Sequence, residues 1–138
     1  MDDPVRLVPK GKGDRDTARA AIEAGYPAVE PVLGEMVEWL QDMNWPVAKI
    51  LVPFLKTISE PLVPHIWHVL RTDDSEWKRN VIEELIPELP PEVAEQFRSE
   101  IERIATNPTP HERRNQLVDP AAWLCGHFGW RPYEGWDS

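Results

Sequence analysis

The stretch Trp39-Leu40-Gln41-Asp42-Met43-Asn44-Trp45-Pro46-Val47-Ala48 constrains this chain more than any other. Before it, Val29, Val32, Leu33, Met36, Val37 and Leu40 recur at spacings of three and four, which makes one apolar stripe on a 3.6-residue period. After it, Val47, Ile50, Leu51, Phe54, Leu55 and Ile58 repeat the stripe. Polar residues between two such patterns, followed by a proline that presets a first helical turn, read as the corner of a helical hairpin. Asp42 and Asn44 are expected to satisfy turn and cap amides there, Asn44 by capping the helix that follows. Trp39 and Trp45 are expected to fill the junction as core, each able to bury on the order of 200 Å².

The same logic lays out the rest of the chain. Residues 1–13, with Pro4, Pro9, Gly11 and Gly13, form an expected extended arm that Val5, Leu7 and Val8 pin to the body. A first helix starts at Asp14 or Asp16, either of which can accept first-turn amides, and stops at Gly25. The corner joins the second and third helices, and Pro53 inside the third predicts a kink or an early break. A fourth helix from Glu60-Pro61 carries Leu62, Ile66, Val69 and Leu70, and a fifth from Asp74 or Ser75 carries Trp77, Val81, Ile82, Leu85 and Ile86. Ala94, Phe97, Ile101 and Ile104 mark a sixth. Thr109-Pro110-His111-Glu112 has the form of a capping box, and the segment it opens is expected to split at Asp119-Pro120. From Gly126 the chain is aromatic and glycine-rich and reads as an irregular tail folded back on the body.

No strand-length alternation stands out, so the fold class is all-α: antiparallel helical hairpins, about six to eight helices in all. The 138 residues suit one domain, divided into an arm (1–13), a helical body (14–125) and a tail (126–138). Fifteen prolines against seven glycines fit short elements with abrupt ends. A shift of 32 residues pairs Val37 with Val69, Asp42 with Asp74, Trp45 with Trp77 and Ile50 with Ile82. Each pair spans a helix, a polar turn and a helix, the pattern that stacked hairpin repeats produce.

The segment from Trp39 to Leu51, WLQDMNWPVAKIL, follows LVPKGKGDRDTA (Leu7 to Ala18) and precedes DDSEWK (Asp73 to Lys78) and NPTPHE (Asn107 to Glu112). Together these resemble the bacterial family catalogued as domain of unknown function 5071. The resemblance covers nearly the whole chain and implies a HEAT-like α-α superhelix. It implies no activity and transfers no catalytic residue.

Charge narrows the partners. A formal net charge of -9 repels phosphate backbones and anionic lipid, so neither nucleic acid nor a membrane surface is an expected partner. Asp2 and Asp3 follow Met1 directly and no long apolar run comes after them, so neither a signal peptide nor a transmembrane span is expected. The single Cys125 cannot form an internal disulfide, which suits a reducing, cytoplasmic setting.

Several residues could carry chemistry. His65 and His68, spaced i and i+3, could present two imidazoles to a metal near Asp73 or Asp74, although surface histidines account for the pattern without a third ligand. Cys125 and His127, with His111 and Asp119 upstream, supply the residue types of a thiol nucleophile and its base, but a cysteine after Ala121-Ala122-Trp123-Leu124 reads better as buried filling. Glu83, Glu84 and Glu88, or Glu35, Glu38 and Asp42, could pair as acid and base or hold a divalent cation, and solvated helix faces are the favoured reading. No metal, cofactor or catalytic set is assigned, and the chain is not expected to be an enzyme.

Seven tryptophans are the more informative excess. Trp67 falls between His65 and His68, off the Leu62, Ile66, Val69 stripe, and Trp130 and Trp136 lie in the tail, so these three are the candidates for exposure. An exposed tryptophan beside carboxylates has the composition of a protein-binding anchor. The expected function is therefore a protein-binding or regulatory module that acts through an acidic helical face, with an immunity-type protein that blocks a basic partner as one concrete form. Its candidate contact residues are Trp67, His65, His68, Glu35, Glu38 and Asp42. The alternative is a small-molecule site or enzyme built in a pocket between helices from histidine and carboxylate side chains.

Overall fold

The computed structural model describes residues 7–136, and every regular element among them is helical. Helix α1 (Arg15–Ala24) begins where Asp14 Oδ1 accepts the Thr17 amide at 3.3 Å, and it ends at Gly25, whose φ of 72° a side chain would strain. The other carboxylate oxygen of Asp14 accepts the Lys10 amide at 2.9 Å, so one residue ties the arm to the helix. Leu7 and Val8 pack against the core, as expected of the arm; Val5 lies outside the described residues.

The second apolar stripe forms three short pieces instead of one helix. A 3-10 turn (Glu30–Val32), α2 (Leu33–Glu38) and another 3-10 turn (Trp39–Gln41) follow in succession. Pro31 opens the first piece and Gly34 weakens the second, but the stripe survives: Val29, Met36 and Leu40 are completely buried.

At the corner, Asp42 Oδ1 accepts the Asn44 amide at 2.8 Å, the expected turn bond. The expected cap is not made. Asn44 is exposed, and α3 (Pro46–Leu55) starts after Trp45 without a side-chain cap. The amide of Val47 donates instead to the Lys12 carbonyl at 3.1 Å, so the backbone of the arm does the capping. Trp45 is also not core: its ring is half-buried, edge-on to Trp39 at 5.6 Å. Pro53, with its ring exposed, lies in the final turn of α3, and the helix ends two residues later at Leu55, short of Ile58.

A 3-10 turn (Glu60–Leu62) leads into α4 (Val63–Leu70), and Asp74 caps α5 (Ser75–Glu84) by accepting the Trp77 amide at 3.0 Å. Helix α6 (Pro91–Ala94), a 3-10 turn (Glu95–Phe97) and α7 (Arg98–Thr106) follow. Thr109 and Glu112 complete the expected capping box at the start of α8 (Pro110–Arg114). Helix α9 (Val118–Phe128) is separated from α8 at Asn115, Gln116 and Leu117, where Gln116 takes a φ of 60°, and not at Asp119-Pro120. Pro120 lies in the first turn of α9, where a missing amide costs nothing. The helix also outruns the expected end at Gly126. It stops at Gly129, φ 71°, and Trp130 donates its amide back to the Cys125 carbonyl at 2.8 Å. That closure turns Trp130 into the core, where only 5% of it is exposed, and removes it from the exposed candidates.

The stripes converge on one core in which Met36, Leu51, Ile66, Ile82, Phe97 and Leu124 lose all exposure. Helix α7 lies along α9 and α1 along α3, while α5 touches α4, α9 and the turn after α2. Helix α5 also supplies polar cross-links. Its Trp77 Nε1–H donates to the Val37 carbonyl at 3.1 Å, and Asn80 Nδ2–H to the Leu40 carbonyl at 2.7 Å, which satisfies the end of the second stripe. Arg79 donates to the Asn115 carbonyl beyond α8. Among the described residues no helix is long and apolar enough to cross a membrane.

Lys78 and Glu112 are the buried charged residues of the described chain, at 6% and 4% exposure. Arg103 grips Glu112 with two N–H donors at 2.9 and 2.7 Å, and Lys78 Nζ stands 3.6 Å away. The Arg103 hydrogen bonds, the Thr109 amide and the Lys78 charge together outweigh burial and hold the Glu112 carboxyl at about 2, below its ordinary 4.5. A depressed carboxylate stabilises the fold fully above the unfolded value and loses that contribution as pH falls through the folded one. Between pH 4.5 and 2 the chain should therefore lose about 3 kcal/mol from this group, measured by urea unfolding across that range. Glu112→Gln should cost about 3 kcal/mol at pH 7, by leaving the buried Lys78 without its counter-charge and Arg103 with Glu100 alone, and should flatten the acid limb. Trp77→Phe should cost about 2 kcal/mol in the same assay, because the buried Val37 carbonyl loses its donor.

Candidate functional site

The structure disperses the residues that sequence grouped as a contact set. Trp67 is half-buried: its ring leans on Phe97 at 5.0 Å and the Arg71 guanidinium lies over it at 5.4 Å. Cover on both sides leaves it a poor anchor. His65 seats its ring against Gly34, where an added Cβ would stand 3.1 Å from Nδ1, so α2 and α4 approach closely only because residue 34 is glycine. Burial, with a smaller contribution from the His68 charge, pulls the His65 imidazole below its ordinary value and so favours its neutral form. His68 is exposed and meets Trp77 edge-on at 5.9 Å. Asp42 is occupied with the corner turn, while Glu35 and Glu38 stand exposed on α2.

The residue types of a thiol nucleophile are not assembled. Cys125 has no exposure, and burial pushes its thiol up to about 11, which keeps it protonated. His127 Nε2 lies 3.1 Å from the Pro87 carbonyl, and His111 Nε2 lies 3.0 Å from the Asp73 carbonyl and 3.1 Å from Ser75 Oγ. Among the described residues no group of three or more histidine, cysteine, aspartate or glutamate side chains is placed to hold a metal.

What the structure does assemble is a groove of about 440 Å³ between α5 and α9, lined by Glu83, Asp119, Pro120 and Trp123. Trp123 is 52% exposed, and its ring stacks on His127 at 5.3 Å and 22°. Asp119, Trp123 and His127 are four residues apart on α9 and share one face. The His127 contact with Pro87 fixes the ring that supports the indole, so the tryptophan is held in place while its outer face stays open. Neither Glu83 nor Asp119 has an ion-pair partner among the described residues, whereas the neighbouring Glu84 is engaged by Lys56 at 3.3 Å.

Sequence reasoning placed Trp123 inside an apolar run beside Cys125. The signal that separates them is periodicity: Leu117, Ala121, Leu124 and Cys125 form the buried stripe of this segment, and position 123 falls on the opposite side.

Two smaller constellations flank α2. Val8, Glu35, Glu38, Trp39, Gln41 and Trp45 line a groove of about 250 Å³. On the other side, Tyr26, Glu30, Glu60, Pro64 and His65 border an open groove of about 430 Å³. Comparison with known proteins adds family membership and no activity. No curated protein matches the chain. The family model described as Domain of unknown function (DUF5071) matches residues 7–124, and the chain belongs to that family.

Proposed function

We propose that this protein is a regulatory binding module that grips a basic segment of another protein at the Trp123 groove. The observation that carries the reading is a half-exposed tryptophan, braced from behind by His127 and rimmed by the unpaired carboxylates of Glu83 and Asp119. A rigid indole gives large contact area at little entropic cost, and tryptophan at the centre of an interface is the commonest kind of hot spot. The acidic rim and the net charge of -9 favour a lysine- or arginine-bearing partner and speed its capture. An immunity-type protein that blocks a basic partner is the most concrete form of this role. The HEAT-like stacking implied by the 32-residue repeat suits it, since stacked hairpins present continuous faces to partners. The lone, sealed Cys125 fits a cytoplasmic site of action.

A second reading, a small-molecule site between helices, draws on the groove where His65 stands with Glu30, Glu60 and Tyr26. That reading places the function at α2 and α4, so a His65→Ala variant separates it from the first.

The test compares wild-type protein with Trp123→Ala as bait in a lysate of the source organism. The wild type should retain a basic protein whose capture weakens with salt. Trp123→Ala should lose at least about tenfold of that affinity, a usual loss for a hot-spot tryptophan. Its unfolding free energy should change by about 1 kcal/mol or less, because half of the indole is already in water. Equal retention by both baits would discard the Trp123 groove, and loss with His65→Ala alone would transfer the function to the second groove.

A further inference from the structure

A separate feature at the corner points to a ligand. Trp45 occupies the N-cap of α3, a position where serine, threonine, aspartate or asparagine serves the helix and tryptophan does not. It makes no cap bond, the Lys12 carbonyl meets the Val47 amide in its place, and its ring is half-buried at the surface. Helix capping does not account for a tryptophan there. Its ring meets Trp39 at 5.6 Å and an interplanar angle of 73°, so the two indoles form a corner with walls in nearly perpendicular planes. Glu35 and Glu38, both exposed and both without an ion-pair partner among the described residues, line the groove that this corner opens into.

We infer that the Trp39–Trp45 groove binds a small molecule carrying a quaternary ammonium head group. Indole faces carry the negative end of the ring quadrupole and attract a cation, tryptophan most strongly of the aromatic side chains. Methyl groups on the nitrogen spread the charge over an apolar surface, so the head group gives up few hydrogen bonds to water when it enters an aromatic corner. Glu35 and Glu38 supply counter-charge at the mouth, and Val8 of the arm closes one side. The volume of about 250 Å³ limits the occupant to a head group with a short substituent. An anion is excluded by the carboxylates, and a neutral apolar ligand would gain nothing from them. The site shares no residue with the Trp123 groove, so either can fail without the other.

The test is a titration with choline, followed by the indole N–H resonances in a ¹H–¹⁵N spectrum, with Trp39→Phe and Trp45→Phe spectra as assignments. Choline should shift the Trp39 and Trp45 resonances in a saturable way and leave that of Trp123 in place. Its neutral isostere 3,3-dimethyl-1-butanol should bind at least about tenfold more weakly. Trp45→Ala should lose the choline response while the other indole signals keep their dispersion. Glu35→Gln combined with Glu38→Gln, two exposed changes that leave the core untouched, should weaken choline several-fold and narrow its preference over the isostere by the same factor. No saturable shift with choline, or equal binding of the isostere, overturns the assignment. A trimethyllysine peptide that binds about tenfold tighter than choline would make the groove a protein-recognition site and overturn the small-molecule part.

Discussion

The buried carboxylate of Glu112 is the contact on which the rest of the structure depends. It accepts two hydrogen bonds from Arg103 on α7, lies beside Lys78 on α5, and closes the capping box of its own helix, α8. One side chain thereby fixes three helices at once. Charges this deep are tolerated only when each is answered, and here the opposing partners come from the preceding helix and from α5, more than thirty residues earlier. With α5 set against α7 and α8, its next residues reach outward: Arg79 holds the chain beyond α8, and Trp77 and Asn80 terminate the second apolar stripe. The corner at residues 39–48 is placed by this chain of bonds and by the arm more than by its own side chains.

That dependence explains which parts of the fold were legible in the sequence. Apolar periodicity reports on burial, and the stripes through Val29 to Leu40, Val47 to Ile58 and Leu62 to Leu70 face the core as the spacing requires. Caps that close within four residues were equally readable: Asp14, Asp74 and Thr109 with Glu112 all act locally. Lys12 was not readable as a cap, because a carbonyl that caps a helix 35 positions away leaves no mark on residue type. Sequence spacing likewise does not mark Lys78 and Arg103 as the partners of Glu112, because they meet it only across helix packing. Pro120 was overread as a break. Pro120 in the first turn of α9 loses nothing by lacking an amide, whereas Pro53 gives up one bond near the end of α3 and the helix closes two residues later.

The tryptophans separate along similar lines. Trp77 and Trp130 are core, Trp67 is covered by Phe97 and Arg71, and Trp39 and Trp45 form an open corner. Trp123, concealed by an apolar run, has the most exposed indole of the described chain. Of the six residues proposed from sequence as contacts, Glu35 and Glu38 line a groove with tryptophans, His65 borders another, and Asp42 holds the corner turn. Composition pointed to aromatic surface beside carboxylates, and the assignment of faces decides where the two meet. The DUF5071 match over residues 7–124 takes in every lining residue of both tryptophan grooves and stops short of His127.

The arm's carbonyl at Lys12 carries one more implication. A backbone acceptor is indifferent to the side chain attached to it, so residue 12 is free to vary in identity while its path is not. What the fold requires of this segment is a count: the number of residues between the Asp14 cap on α1 and the acceptor beneath Val47 on α3 must stay at its present value. A single inserted or deleted residue there would carry the Lys12 carbonyl off the Val47 amide, although α1 still packs along α3, whereas a dozen different side chains at the same place would leave the bond intact. The segment behaves as a spacer of fixed length that also serves as a hinge pin, and its information is stored in distance instead of chemistry.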